Sequence, residues 1–459
     1  MSTFLQGESE NQSSSRALSG RFSSQVLLTM GTNLALALLA LVTGSLIARY
    51  LGPEGRGELA AIQTWSGFIA LLAVLGLPDA VVFFTSRFPG QGREYLVSAI
   101  SILLLISIPF IIAGYILLPE LLSAQPESII QPARWYLTIF ILLQVTQGML
   151  LHPLRGRNDF IAWNLFRVAY MLGWLAVVLL VGLAGHKSVI YVASGYLISL
   201  FIMAIPVGSY VLMSVPGDLE VNTKLLRPML SYGLPLMASV VPQTLNLRMD
   251  QLAMGMYLPP QELGYYAIAV TWSGIALPIV NGIGAVLFPW IASITAITDR
   301  NRILTSASSF SLFLTAAISL SAMLITPVVI PLLFGQSYIP AIPATIILLA
   351  ASIPLSFSFT LEEGMRGLGN SKAVLWAEGA GLIITISALG ILLFKYGIIG
   401  AAISSLLGYN TTAVVLLVML HQITGEPISS YLNPHLILWT RIMKNNFSGL
   451  INRHTSEDV

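Results

Sequence analysis

The sequence predicts an all-α integral membrane protein: twelve transmembrane helices in two parallel-repeat six-helix lobes around a central cavity. Three observations predict it. Of 459 residues, 56% are apolar and only 9% charged, with a mean hydropathy of +0.82. A soluble domain carries roughly 25% charged residues, and this chain has too few to cover a water-facing surface. Twelve apolar stretches are each long enough to cross a bilayer, which takes about 20 helical residues. Finally, the second half of the chain repeats motifs of the first.

The elements follow in order. Residues 1–24 are polar, carry Arg16 and Arg21, and lack the apolar centre of a signal peptide. They are expected to form a cytoplasmic tail. Residues 25–214 form the N-terminal lobe, with spans Gln25–Tyr50, Glu58–Ser86, Tyr95–Leu118, Ala133–Leu151, Phe160–Leu183 and Val189–Ser214. Residues 215–225 are a cytoplasmic linker. Residues 226–423 form the C-terminal lobe, with spans Leu226–Tyr257, Leu263–Ala296, Ile303–Phe334, Ile342–Met365, Ser371–Phe394 and Ile398–Ile423. Residues 424–459 are a cytoplasmic tail, in which Leu436–Met443 reads either as an interfacial amphipathic helix or as disordered chain.

Charge placement orients these spans. With the N-terminus inside, sixteen of the 22 Lys and Arg residues fall on the inner side and five (Arg49, Arg56, Arg134, Lys187, Lys395) on the outer side; Arg248 lies within the membrane. That is the positive-inside bias, and both termini are expected in the cytoplasm. The longest connection is about fourteen residues, too short for a nucleotide-binding domain, and no GxxxxGK[ST] phosphate loop occurs. The chain is not expected to hydrolyse ATP.

The repeat is explicit. Leu51–Gly67 (LGPEGRGELAAIQTWSG) and Leu258–Gly274 (LPPQELGYYAIAVTWSG) match at 8 of 17 positions at an offset of 207. Pro53/Pro260, Gly57/Gly264 and Thr64-Trp-Ser-Gly67/Thr271-Trp-Ser-Gly274 are among them. Arg155-Gly156 answers Arg366-Gly367 after the fourth span of each half, and Asn158 roughly answers Asn370. Six is even, so both halves enter the membrane from one side and are related by an axis along the membrane normal. Transporters built this way bind substrate between the halves.

Ionisable groups inside a bilayer are costly and point to function. Arg248 lies nine residues, or ~13 Å, from the outer end of its span at Tyr257. It sits with Asn246 and Asp250 in the run Gln243–Gln251, behind Pro235 and Pro242. Two readings are open: a structural pair between helices, or residues lining a water-filled cavity, with Asp250 neutralising Arg248 when the cavity is empty. Asp79, after Pro78, is a cavity acid or reaches the inner interface. Glu378 is a cavity acid or pairs with a base such as Arg366. Glu362 and Glu363, near Arg366, read as a solvated interfacial pair. Arg49 snorkels outward or draws an anionic head group to the outer mouth. Trp65 and Trp272 stack on sugars or anchor their helices. Gly400, Ser404 and Gly408 form a small-residue packing face.

The chemistry of catalysis is not legible here. With no cysteine there is no thiol nucleophile or disulfide, and no two of the five histidines have ligand spacing. No cofactor, metal site, nucleic-acid partner or enzymatic activity is expected.

The sequence resembles the multidrug/oligosaccharidyl-lipid/polysaccharide exporter superfamily. The residues that carry the likeness are Tyr50-Leu-Gly-Pro-Glu-Gly-Arg-Gly-Glu-Leu59, Leu247-Arg-Met-Asp-Gln-Leu252, Pro260-Gln-Glu-Leu-Gly-Tyr-Tyr-Ala267 and Met365-Arg-Gly-Leu-Gly-Asn370. Within it, the chain is most similar to bacterial polysaccharide flippases that move lipid-linked O-antigen-type repeat units for lipopolysaccharide. The resemblance implies two lobes around a cavity that opens alternately to cytoplasm and exterior. It implies an undecaprenyl-diphosphate-linked glycan as cargo, flipped from the cytoplasmic to the outer leaflet of the bacterial inner membrane beside membrane lipids and polysaccharide polymerase or assembly proteins. Substrate-binding candidates are then Arg248, Asp250, Asn246 and Arg49; ion-coupling candidates are Asp79, Asp250 and Glu378. The rival readings are an ion-coupled multidrug or organic-cation antiporter of the same superfamily, and a membrane-embedded glycan polymerase or ligase.

Overall fold

The computed structural model describes residues 2–294 and 296–433, and they contain helices and turns with no strand. The amphipathic segment expected at Leu436–Met443 and the rest of the tail beyond residue 433 lie outside the described residues. Nine helical stretches among them are long and apolar enough to cross a membrane. Two of these are double. Helix α1 (Ser2–Ala73) reverses at Gly52, whose φ of 68° is open to glycine without a steric penalty, and α13 (Ser371–Thr424) reverses at Gly397, φ 55°. Helix α8 (Thr223–Tyr257) is too polar to count among the nine, yet its 35 residues run about 52 Å, enough to cross. The total is twelve passes.

Between these lie α2 (Leu77–Arg87), which completes span 2 after a break with φ 49° at Leu75 and 67° at Gly76, α3 (Gly92–Leu121) and α4 (Glu127–Thr146). Span 4 continues through a 3₁₀ turn into α5 (His152–Gly156); α6 (Phe160–Leu183) and α7 (Val189–Ser214) close the first lobe. In the second lobe, span 8 is α9 (Pro260–Ser273) and α10 (Leu277–Ser293), joined by a 3₁₀ turn, with Pro278 in the first turn of α10, where its missing N–H is harmless. Helices α11 (Ile297–Phe334) and α12 (Ile342–Gly367) precede α13.

The helical limits differ from the sequence reading at two informative places. Helix α1 begins at Ser2, so the polar segment expected as a tail is helical from the start. Span 2 begins at Pro53 rather than Glu58, because one left-handed glycine reverses the chain and proline opens the next helix. That puts Arg56 inside the first turn of span 2 instead of in a loop.

The repeat is visible in the packing. Gly156 lies on Val82 and Thr85 of span 2, and Gly367 lies on Phe288 and Ile291 of span 8. The turns after them share one bonding pattern: Arg157 N to Pro153 O, Asn158 N to Arg155 O and Asp159 N to Leu154 O, against Leu368 N to Gly364 O, Gly369 N to Arg366 O and Asn370 N to Met365 O. Asn158 (φ 61°) therefore corresponds to Gly369 (φ 77°), and Asn370 to Asp159, one residue from the alignment read in the sequence.

The lobes meet at both faces. On the predicted outer face the contact is reciprocal: a Cβ on Gly57 would stand 1.6 Å from the Pro260 carbonyl oxygen, and one on Gly264 would stand 1.9 Å from that of Pro53. These are the repeated residues themselves, packed backbone to backbone about the pseudo-twofold axis. Toward the predicted inner face, Gly76 lies on Gly233 and Met30 on Gly282, while Phe83 stacks on Tyr232 at 4.3 Å. One buried apolar core runs from the first lobe into the outer half of the second. A separate core, including Leu287, Phe357, Leu416 and Tyr431, fills the inner half of the second lobe alone.

Candidate substrate cavity

A cavity of about 770 Å³, lined by the first lobe and by Arg248 and Thr271 of the second, shares Arg56, Gln63, Arg248 and Thr271 with an adjoining chamber of about 450 Å³ between the lobes. Three arginines face this space. Arg248 comes from α8, is exposed to the cavity, and makes no ion pair among the described residues. Arg56 comes from the first turn of span 2, and its Nε is buried without a partner. Arg167, which the sequence reading placed on the inner side, comes from α6. Its guanidinium is positioned by Asn33 Oδ1 at 2.8 Å and Asn164 Oδ1 at 3.1 Å, and lies 4.4 Å over the Trp163 ring. Neither chamber has a carboxylate among its lining residues. Guanidinium groups that face one space without a lining carboxylate make it electropositive, a polarity that attracts anions.

The acids lie elsewhere. Asp250 is not the partner of Arg248. It turns into the second lobe, 2% exposed, and accepts from Tyr266 Oη at 2.5 Å, Ser405 Oγ at 3.0 Å and its neighbour's amide, Gln251 N, at 2.6 Å. Two residues along a helix separate the side chains by about 200°, and no break between them rotates Asp250 back. Asn246 is also buried; its Nδ2 donates to Glu378 Oε2 at 3.1 Å, and its Oδ1 accepts from Thr385 Oγ1 at 2.8 Å. Gly408 makes room for Thr385, where a Cβ would come within 1.8 Å of the hydroxyl. Glu362, read from the sequence as solvated, is fully buried and accepts from Gln243 Nε2 at 2.9 Å and from Arg366 Nη2 at 3.2 Å; Arg366 also bonds Glu363. Glu378 is an electrostatic neighbour of Glu362. Span 7 therefore presents Arg248 to the cavity and Asn246 and Asp250 to the second lobe.

The remaining candidates lie outside the cavity lining. Arg49 donates from Nε to Leu333 O at 2.9 Å and also bonds Leu332 O, capping carbonyls at the C-terminal end of α11 across the lobe boundary. Asp79 forms a half-exposed ion pair with Arg155 at 3.7 Å. Trp272 donates to Thr326 Oγ1 at 3.1 Å, and Trp65 packs against Gly255, so both repeated tryptophans hold helices together. The sequence missed Arg56 and Arg167 as cavity residues. The available signal was Pro53 directly after Gly52, which starts the helix early enough to carry Arg56 inward.

A cationic cavity between two six-helix lobes defines a multi-pass membrane transporter. A family model described as polysaccharide biosynthesis protein matches residues 23–295, and the chain belongs to that family, within the multidrug/oligosaccharidyl-lipid/polysaccharide exporter superfamily. It is similar to the probable low-salt glycan biosynthesis flippase Agl15 of Haloferax volcanii, 22% identical over 375 residues that cover 80% of this chain and 77% of the relative. Its fold is that of the lipid II flippase MurJ in an inward closed conformation (16% identical, TM-score 0.73, 95% of this chain on 93% of that one). It is equally that of an inward-facing multidrug resistance MATE family transporter (16% identical, TM-score 0.73, 86% on 98%).

Proposed function

We propose that the protein flips a polyprenyl-diphosphate-linked oligosaccharide from the cytoplasmic to the outer leaflet of the cell membrane, with both termini cytoplasmic. The observation that carries this reading is the set of three arginines, Arg56, Arg167 and Arg248, around a cavity whose lining holds no carboxylate. A guanidinium forks onto phosphate oxygens bidentately, so the diphosphate supplies the counter-charge that the cavity lacks. An organic-cation antiporter needs the opposite polarity, whereas Asp250 and Glu378 lie behind span 7 and Asp79 pairs with Arg155. The likeness to a glycan flippase supports the same reading.

The acid cluster provides the coupling. Glu362, Glu363 and Glu378 gather near Arg366 among the described residues, which makes this group the place we assign to a coupling cation. Because Asn246 and Arg248 share span 7, occupancy of this cluster is felt at the cavity. The test is flipping of a fluorescent polyprenyl-diphosphate glycan in proteoliposomes. Arg248→Ala and Arg56→Gln abolish it at normal protein level, and Arg248→Lys retains part, since a point charge replaces a planar fork. Normal flipping by the Arg56→Gln/Arg248→Ala double variant would refute the reading.

A further inference from the structure

We infer that the first-lobe wall of the cavity is a sugar-binding surface, and that the glycan is read there by ring stacking while the arginines hold the diphosphate. This rests on the flippase reading and adds a residue-level site for the sugar. Five aromatic side chains from three different helices line the 770 Å³ cavity, and four of them form an unbroken series. Tyr136 stacks on Phe140 with centroids 5.5 Å apart, Phe140 meets Tyr196 at 6.4 Å, and Tyr196 meets Trp174 edge to face at 4.9 Å. Tyr136 and Phe140 are on α4, Trp174 on α6 and Tyr196 on α7. Tyr136, Phe140 and Trp174 are 4%, 8% and 9% exposed and anchored in the buried core, so the series is held rigidly and meets the cavity along its margin, with Tyr196 more open. Rings held this way offer weakly polar surface at low entropic cost. The CH face of a pyranose is their complement: apolar enough to stack, with hydroxyls directed sideways to groups such as Gln63 and Thr43, which line the same space.

The charge distribution sets the polarity of binding. Arg56 and Arg248 lie on spans 2 and 7, whereas the rings lie on spans 4, 5 and 6, with Arg167 beside them on span 5. A diphosphate held by Arg56 and Arg248 places the first sugar against the rings, where Arg167 borders the sugar-reading side. Stacking tolerates many sugars, so the wall selects for the presence of a glycan more than for its identity.

The experiment compares two probes on the purified full-length protein in lipid nanodiscs: farnesyl diphosphate, and the same lipid carrying one N-acetylglucosamine. The wild type binds the sugar-bearing probe about tenfold more tightly. Trp174→Leu and Tyr196→Leu bring that ratio close to one and leave farnesyl diphosphate binding within about twofold, whereas Trp174→Phe and Tyr196→Phe keep the preference. A second measurement needs no disruptive change. The emission of Trp174, taken as the difference between wild type and Trp174→Phe, shifts with the sugar-bearing probe and not with farnesyl diphosphate. An unchanged ratio in the leucine variants, equal loss of both probes in them, or no selective shift of Trp174 emission would each overturn the assignment. Failure of the flippase reading looks different: Arg56→Gln/Arg248→Ala would then bind both probes as the wild type does.

Discussion

The reciprocal glycine crossing makes a quantitative prediction about the outer gate. A Cβ at Gly57 meets the Pro260 carbonyl oxygen at 1.6 Å, its carbon at 2.5 Å and Gly264 N at 2.9 Å. All three are backbone atoms in the first turn of α9, so no rotamer change relieves them. Contacts below 3.0 Å do not persist, so Gly57→Ala forces the start of span 2 away from span 8 by about 1.4 Å at this point. Gly264→Ala, at 1.9 Å from Pro53 O, requires about 1.1 Å. Overpacking of this kind costs about 1–3 kcal/mol in the state that contains the contact. A state with the lobes parted on the outer side does not bear that cost, so the equilibrium shifts toward it by about 5- to 150-fold. The chain has no native cysteine, which permits a direct assay. Cysteine at Thr64, which lines the 450 Å³ chamber, is labelled in intact cells by an impermeant maleimide. Labelling accelerates in Gly57→Ala and Gly264→Ala and stays at the parental rate in Gly67→Ala, where nothing lies within 4 Å of the added carbon. Equal rates in all three, at matched protein levels, would refute the crossing as a gate.

Other outcomes follow from the same geometry. Asp250→Ala strips the Tyr266 and Ser405 hydroxyls of their acceptor and destabilises the protein by about 1–3 kcal/mol, read as a lower midpoint of thermal unfolding in detergent; an unchanged midpoint would contradict the buried network. Glu378→Gln removes ion dependence from flipping while cargo binding persists, measured as transport with and without a proton or sodium gradient; a gradient-sensitive variant would move coupling elsewhere. Arg49→Ala frees the end of α11 and increases outside labelling of the cavity cysteine without weakening cargo affinity; weakened affinity would return Arg49 to the binding site. The predicted orientation is tested at Ser128 and Gln91, both exposed: cysteine at Ser128 reacts from outside and cysteine at Gln91 does not.

The architecture was legible because lipid leaves a chain few options. Every backbone polar group must bond within its own helix, so apolar length counts spans, and the repeated Pro53/Pro260 and Gly57/Gly264 mark where the two halves meet. Sequence also singled out span 7, since charged and amide residues in a membrane are too costly to be idle. What it could not supply was rotation about that helix. Arg248 and Asp250 are close in sequence and opposite in charge, which invites pairing. The helix places them on opposing sides, and Tyr266 and Ser405, distant in sequence, take the acid instead.

The cavity's charge was concealed by a shift of a few residues. An arginine assigned to a loop is solvated and uninformative; the same arginine one turn inside a helix lines the cavity. Gly52 decides between these for Arg56, because a reversal completed in a single left-handed residue leaves no loop to hold it. Arg167 was hidden differently. It lies seven residues into α6, close enough to the inner end to be counted with the cytoplasmic charges, and only Asn33 from span 1 and Asn164 from its own helix show that it is held toward the cavity. Arg56 and Arg167 thus join Arg248 around one space while the acids of spans 7, 10 and 11 are bonded away from it. Separation of this kind keeps the cavity lining free of carboxylates while Asp250, two residues from Arg248 on the same helix, is bonded into the second lobe.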